Sequence, residues 1–161
     1  MNLSIKDKKI YSLYLAFAIC VITSCIPNMG IQSFGAIFSI VTIIAFYTLR
    51  KKWGADNIVK DEASFMIKTF WIWSAIYVVG MMIAGIMISS LGDMSSIHQW
   101  TEQIMEGGAP PDEAAVKLMM QQYMDANYGL IVKMSILCVA PSVIYAGWRL
   151  WVGISRRRHA I

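Results

Sequence analysis

Charge is what this chain has least of. Only 15% of its 161 residues are Asp, Glu, Lys or Arg, where a soluble domain carries about 25%. That scarcity excludes a disordered chain, which needs low hydrophobicity and dense charge, and it speaks against an ordinary soluble enzyme. Histidine is nearly missing. His98 stands in an acidic stretch and His159 in a basic tail, so no two-histidine metal site can be drawn. The three cysteines, Cys20, Cys25 and Cys138, are odd in number and lie in apolar runs. They read as small buried hydrophobes and not as a disulfide framework. No Ser/His/Asp set, phosphate-cradling loop or paired-cysteine zinc motif is present. The apolar runs hold no carboxylate pair of the kind that marks a proton or ion path. No stretch alternates apolar and polar residues over strand length, which excludes a transmembrane barrel. The sequence therefore implies no cofactor, no metal and no enzymatic chemistry.

Apolar residues are what is there instead. They make up 57% of the chain, and the mean hydropathy is +0.55. Four runs carry most of them, at residues 11–26, 31–49, 65–91 and 128–152. A helix needs roughly 20 apolar residues to cross a bilayer core, and in lipid every backbone group must be paired within the segment. The expectation is an all-α membrane protein with four transmembrane helices in one integral domain, the first run being the shortest. Pro27, Asn28 and Gly30 predict a tight turn between the first two spans.

Basic residues orient the spans. Twelve of the fourteen lie before the first run, in the 50–68 connector, or at the end of the fourth run and beyond, whereas residues 92–127 hold Lys117 against six acids. This predicts both termini in the cytoplasm of a bacterial inner membrane, with 92–127 as an outer segment. The net charge of +4 and the pI of about 9.0 are thus a topology signal. They are not a nucleic-acid footprint, because the bases sit at helix ends and not along a face. Trp71, Trp73, Trp148 and Trp151 fall near the cytoplasmic ends, as an interfacial belt does.

The outer segment reads as two helices. Ser95 or Ser96 is placed to cap one through about Met105, the stretch from Gly107 to Pro111 breaks it, and Asp112 with Glu113 suits the start of another. Val116, Met119, Met120 and Tyr123 follow at helical spacing. This stripe is a candidate partner surface; the alternative is a hairpin folded over its own bundle. The second helix is placed to continue into the fourth span across Asn127 and Gly129. Met94, His98 and Met105, or Met119, Met120 and Met124, are soft donors suited to Cu(I). The plainer reading of the same methionines is flexible packing.

Within the spans, Gly80/Ala84 and Gly85/Ser89 on the third run are small-residue pairs at four-residue spacing, which let helices approach closely. Gly35/Ser39 and Ser142/Ala146 repeat the pattern on the second and fourth. Gln32 and Lys133 are the candidate intramembrane polar residues, with snorkelling the favoured reading of Lys133. Pro141 predicts a kink in the fourth helix. The sequence Ile22-Thr23-Ser24-Cys25 after a basic start resembles a lipoprotein cleavage box, but an apolar run follows Cys25 where a mature lipoprotein has a polar linker.

Two stretches carry a family resemblance: Lys68-Thr69-Phe70-Trp71-Ile72 and Trp148-Arg149-Leu150-Trp151-Val152-Gly153. They are similar to segments of the small bacterial membrane proteins that include the magnetosome proteins MamF and MmsF. Those proteins typically carry a histidine shortly before the Thr-Phe-Trp segment, where this chain has Glu62, and they lack so long an acidic segment. The resemblance implies a small integral membrane scaffold without enzymatic chemistry.

Taken together, the reading is a non-enzymatic subunit or scaffold of a larger membrane complex. Its partners are the lipid bilayer and either other subunits or copies of itself. The alternative is a homo-oligomeric pore for small solutes or ions, for which Gln32, Thr42, Thr48, Ser74 and Lys133 supply the polar residues.

Overall fold

A computed structural model describes residues 5–26, 28–52, 57–106 and 112–158. Among these residues all regular structure is helical: α1 Ile5–Cys25, α2 Met29–Lys52, α3 Asn57–Leu91, α4 Ser95–Met105 and α5 Glu113–Arg158. Three stretches are long and apolar enough to cross a membrane, Gly30–Lys52, Ile58–Leu91 and Glu113–Arg156, while the apolar part of α1, Ile10–Cys25, is shorter. The helices outrun the predicted apolar runs because polar residues such as Lys52, Asn57 and Arg156 still propagate a helix at its watery ends. The second helix expected within 92–127 and the fourth apolar run are one element, α5, which passes through Asn127, Gly129 and Pro141 as a single helix.

Helix starts follow local chemistry. The side-chain oxygen of Asn28 accepts the Ile31 N–H at 3.1 Å, and that of Asp112 accepts the Ala115 N–H at 2.7 Å. Both satisfy donors that the first turn of a helix leaves free. At α4 the expected serine cap is corrected. Met94 occupies the capping position with no side-chain bond, and Asp93 accepts the Ser95 N–H at 2.9 Å instead. Ser95 is thereby the first residue of the helix and donates to the carboxylate two residues ahead, an Asx-type turn, while the Met94 carbonyl accepts the Ile97 and His98 N–H groups at 3.0 and 2.9 Å. The breaker at residues 107–111 and Pro27 lie outside the described residues.

The chain divides into two compact units: residues 1–77 with 141–161, and residues 78–140. In the first unit, α1 supplies the largest single share of the core. Ile10, Leu13, Tyr14, Phe17, Cys20 and Val21 are buried, at spacings that trace one helical stripe. Around it lie Phe46 of α2, Val59, Met66, Ile67, Phe70 and Trp73 of α3, and Ala146 of α5. Phe17 meets the edges of Phe70 and Trp73 at centroid distances of 6.4 and 5.6 Å, the geometry that aromatic quadrupoles favour. Gly35 of α2 lies so close to α1 that an added Cβ would stand 2.6 Å from Thr23 Oγ1.

Two sequence expectations change in this unit. Trp73 is buried and not part of an interfacial belt, whereas Trp71, Trp148 and Trp151 are exposed. Two residues turn a helix by about 200°, so Trp71 and Trp73 point to opposite sides. Of the three cysteines only Cys20 is fully buried, and Cys25 is exposed at the end of α1.

In the second unit α3 and α5 touch at backbone level. A Cβ on Gly80 would fall 2.2 Å from the Cys138 carbonyl oxygen. No side chain larger than hydrogen fits at that contact.

Candidate functional site

The outward surface is the first functional feature. No more than 17% of the most apolar window of any candidate span is buried. Ile37, Ile40 and Ile44 on α2, Met82 and Ile86 on α3, and Ile136, Leu137 and Ile144 on α5 are all exposed. A monomeric soluble protein rarely exposes apolar patches of such extent. The same surface is at home in lipid. The described residues therefore form a membrane protein by length, composition and outward hydrophobicity.

The small-residue pairs on α3 fall into two classes. Gly80 and Ala84 are buried, Gly80 against Cys138. They serve the chain's own packing. A Cβ added at Gly85 would meet nothing within 4 Å, and Ser89 beside it is exposed, its hydroxyl bonded to the Ile86 carbonyl. Val78, Met81 and Met82 are exposed on the same helical face. On α2 and α5 the other pairs are packed, with Gly35 and Ser142/Ala146 buried.

The α5 stripe is only partly covered. Val116, Met119 and Tyr123 are half-buried, whereas Met120 and Met124 are exposed. Of the candidate polar residues, Gln32 and Lys133 are both exposed. Thr42 is buried and accepts the Cys20 thiol at 3.6 Å, and Thr48 donates to its own helix at Ile44. Among the described residues no group of three His, Cys, Asp or Glu side chains is placed to hold a metal.

Three polar arrangements escaped the sequence reading. First, the Tyr14 hydroxyl of α1 donates to a Glu62 carboxylate oxygen of α3 at 2.5 Å. Gly153 of α5 makes room for this tyrosine, since a Cβ there would lie 2.5 Å from its ring. Second, Arg149 Nε of α5 donates to Thr69 Oγ1 of α3 at 3.1 Å. The Arg149 guanidinium lies 4.0 Å from the Phe65 ring centroid, and that of Arg156 lies 4.4 Å from the same centroid. The two stretches that carry the family resemblance thus meet at Thr69 and Arg149.

Third, Asn127 fastens the end of α3 to α5. Its side chain is buried. The oxygen accepts the Asp93 N–H at 2.7 Å, and the amide nitrogen donates to the carbonyls of Asp93 and Tyr123, each at 3.0 Å. Gly92 leaves the space this needs: a Cβ would stand 3.0 Å from the Asn127 oxygen and 2.5 Å from the Ile88 carbonyl. Beyond the clasp, the bonds from Ser95 hold the exposed Asp93 carboxyl below the ordinary carboxylate value. The only sequence signal for Asn127 was an amide standing where an amphipathic stripe turns into an apolar run. The other two arrangements join residues 48 and 80 positions apart, beyond the reach of any local pattern.

Comparison of the chain with protein-family models, curated proteins and solved structures finds no match.

Proposed function

We propose that this chain is a four-span, non-enzymatic subunit or scaffold of a bacterial inner-membrane complex, with both termini cytoplasmic and residues 92–127 outside. The observation that carries the reading is the open face around Gly85. Val78, Met81, Met82, Gly85 and Ser89 form an exposed apolar strip with a depression at its centre, and small residues at such a face permit close helix contact in lipid. The buried stripe of α1 supports counting it as the fourth span, because a helix packed among α2, α3 and α5 needs less apolar surface of its own than a lipid-facing one. The exposed Met120 and Met124 on the outer part of α5 support a second contact there.

Purification in mild detergent, with mass spectrometry of co-eluting chains, tests the proposal. A stoichiometric partner lost on Gly85→Ile supports it. In Gly85→Ile the new side chain enters open space, so the chain's own packing survives while the contact is blocked. A homogeneous homo-oligomer that conducts ions in liposomes overturns it. For the orientation, labelling of a cysteine placed at residue 100 from the cytoplasmic side is the refuting result.

A further inference from the structure

Arg149 and Arg156 are seven positions apart on α5, two helical turns, and so share a face. Both guanidiniums rest against the single ring of Phe65. Cation–π contact offsets part of the cost of crowding two like charges, but only part. Among the described residues no carboxylate forms an ion pair with either one. Glu62, one turn ahead of Phe65 on α3, is engaged by the Tyr14 hydroxyl.

Arg149 is half-buried and, among the described residues, donates only its Nε–H, to Thr69. A guanidinium carries five N–H donors, so its terminal fork is left to bond elsewhere. Arg156 is exposed and, among the described residues, makes only the ring contact. A partly desolvated charge pair without a counter-ion is costly. The group that resolves the cost is an anion able to accept from two planar forks, and phosphate is the best geometric match.

The surroundings indicate where that phosphate comes from. Trp148 and Trp151 flank Arg149 along α5 and are exposed, and tryptophan is the residue type that concentrates at headgroup depth. Leu150 and Ile154, between and beyond them, line an apolar groove with Tyr11, Leu15 and Ala18 of α1. We infer that Arg149 and Arg156, held on Phe65, form a binding site for the phosphate of an anionic phospholipid headgroup. Thr69 is the positioning residue that fixes the Arg149 side chain by its Nε–H. This site is independent of the Gly85 face, and loss of a protein partner leaves it intact.

The test uses the full chain in mild detergent, with phosphatidylglycerol, phosphatidylcholine or inorganic phosphate as probe and native mass spectrometry as readout. The expected result is preferential retention of phosphatidylglycerol. Arg149→Gln and Arg156→Gln should each weaken it about five-fold, the equivalent of about 1 kcal/mol per basic residue at an anionic surface, and should leave phosphatidylcholine binding unchanged. Arg156→Gln removes an exposed side chain without hydrogen bonds to the described residues, so it keeps the fold even where Arg149→Gln does not. Equal retention of the two lipids overturns the inference, as does phosphatidylglycerol binding untouched by Arg156→Gln. Inorganic phosphate that binds at the same concentration and displaces the lipid shows a free-anion site, and also overturns it.

Discussion

Asn127→Ala removes the clasp between the end of α3 and α5 and leaves little else changed. Three hydrogen bonds go with the side chain, one accepted from the Asp93 N–H and two donated to the Asp93 and Tyr123 carbonyls. A typical intramolecular bond contributes about 0.5–1.5 kcal/mol net, and an orphaned buried partner costs more. Asp93 is exposed, so water can take over part of what Asn127 provided. The expected loss is therefore about 2 kcal/mol, near the lower end of three such bonds. Hydrogen exchange at the Asp93 amide in detergent reads this directly: about 2 kcal/mol corresponds to roughly 30-fold faster exchange through local opening. Amides in the first unit, such as that of Met66, should exchange as before. Asn127→Asp should be worse than Asn127→Ala near neutral pH, because a carboxylate can donate to neither carbonyl and adds like charge beside Asp93. An Asp93 amide whose exchange is unchanged in both variants refutes the assignment of the clasp.

Other outcomes follow from the same geometry. Gly80→Ala should destabilise the chain itself, since the new methyl meets the backbone at Cys138, whereas Gly85→Ala should leave its unfolding midpoint in detergent within about 0.5 kcal/mol; equal effects at the two sites would contradict their assignment to opposite sides of α3. Tyr14→Phe deletes the bond to Glu62 and should cost about 1.5–3 kcal/mol, the range for a hydrogen bond to a charged group, by unfolding in a denaturing detergent; Gly153→Leu should act on the same contact by displacing the Tyr14 ring. The Asp93 carboxyl should titrate below its ordinary value of 3.8 because Ser95 bonds the ionised form. A depressed folded pKa means that this contribution to the α4 turn is present above the unfolded value and lost as pH falls through the folded one. An NMR titration placing Asp93 at or above 3.8 refutes the point, and Ser95→Ala should move it upward.

Much of this protein was legible one residue at a time. Long apolar runs demand helices because lipid offers backbone groups no alternative partner, and such runs led to α2, α3 and the second half of α5. Asp112 and Glu113 marked the start of α5 because a helix terminus exposes donors whose needs are local. The stripe from Val116 to Tyr123 could be followed into the fourth run because nothing between Tyr123 and Tyr128 breaks a helix. At Ser95 the same local logic missed the cap, since Met94 holds that position and the Asp93 side chain turns the chain into the helix by accepting the Ser95 N–H.

What the sequence by itself determined, then, was secondary structure, solvent class and the sorting of charge, all of which depend on neighbours along the chain. Tertiary structure alone decided which side of each helix faces the protein. It turned Gly80 inward and Gly85 outward, separated buried Trp73 from exposed Trp71, and made the short α1 the centre of a core. It also brought Tyr14 to Glu62, Arg149 to Thr69 and Asn127 to Asp93. The physical reason is that all four runs are apolar nearly all round. In a soluble helix the polar face announces the inside by contrast, but here lipid and protein interior ask for the same side chains. Only close packing, at a missing Cβ or a shared hydrogen bond, tells one from the other.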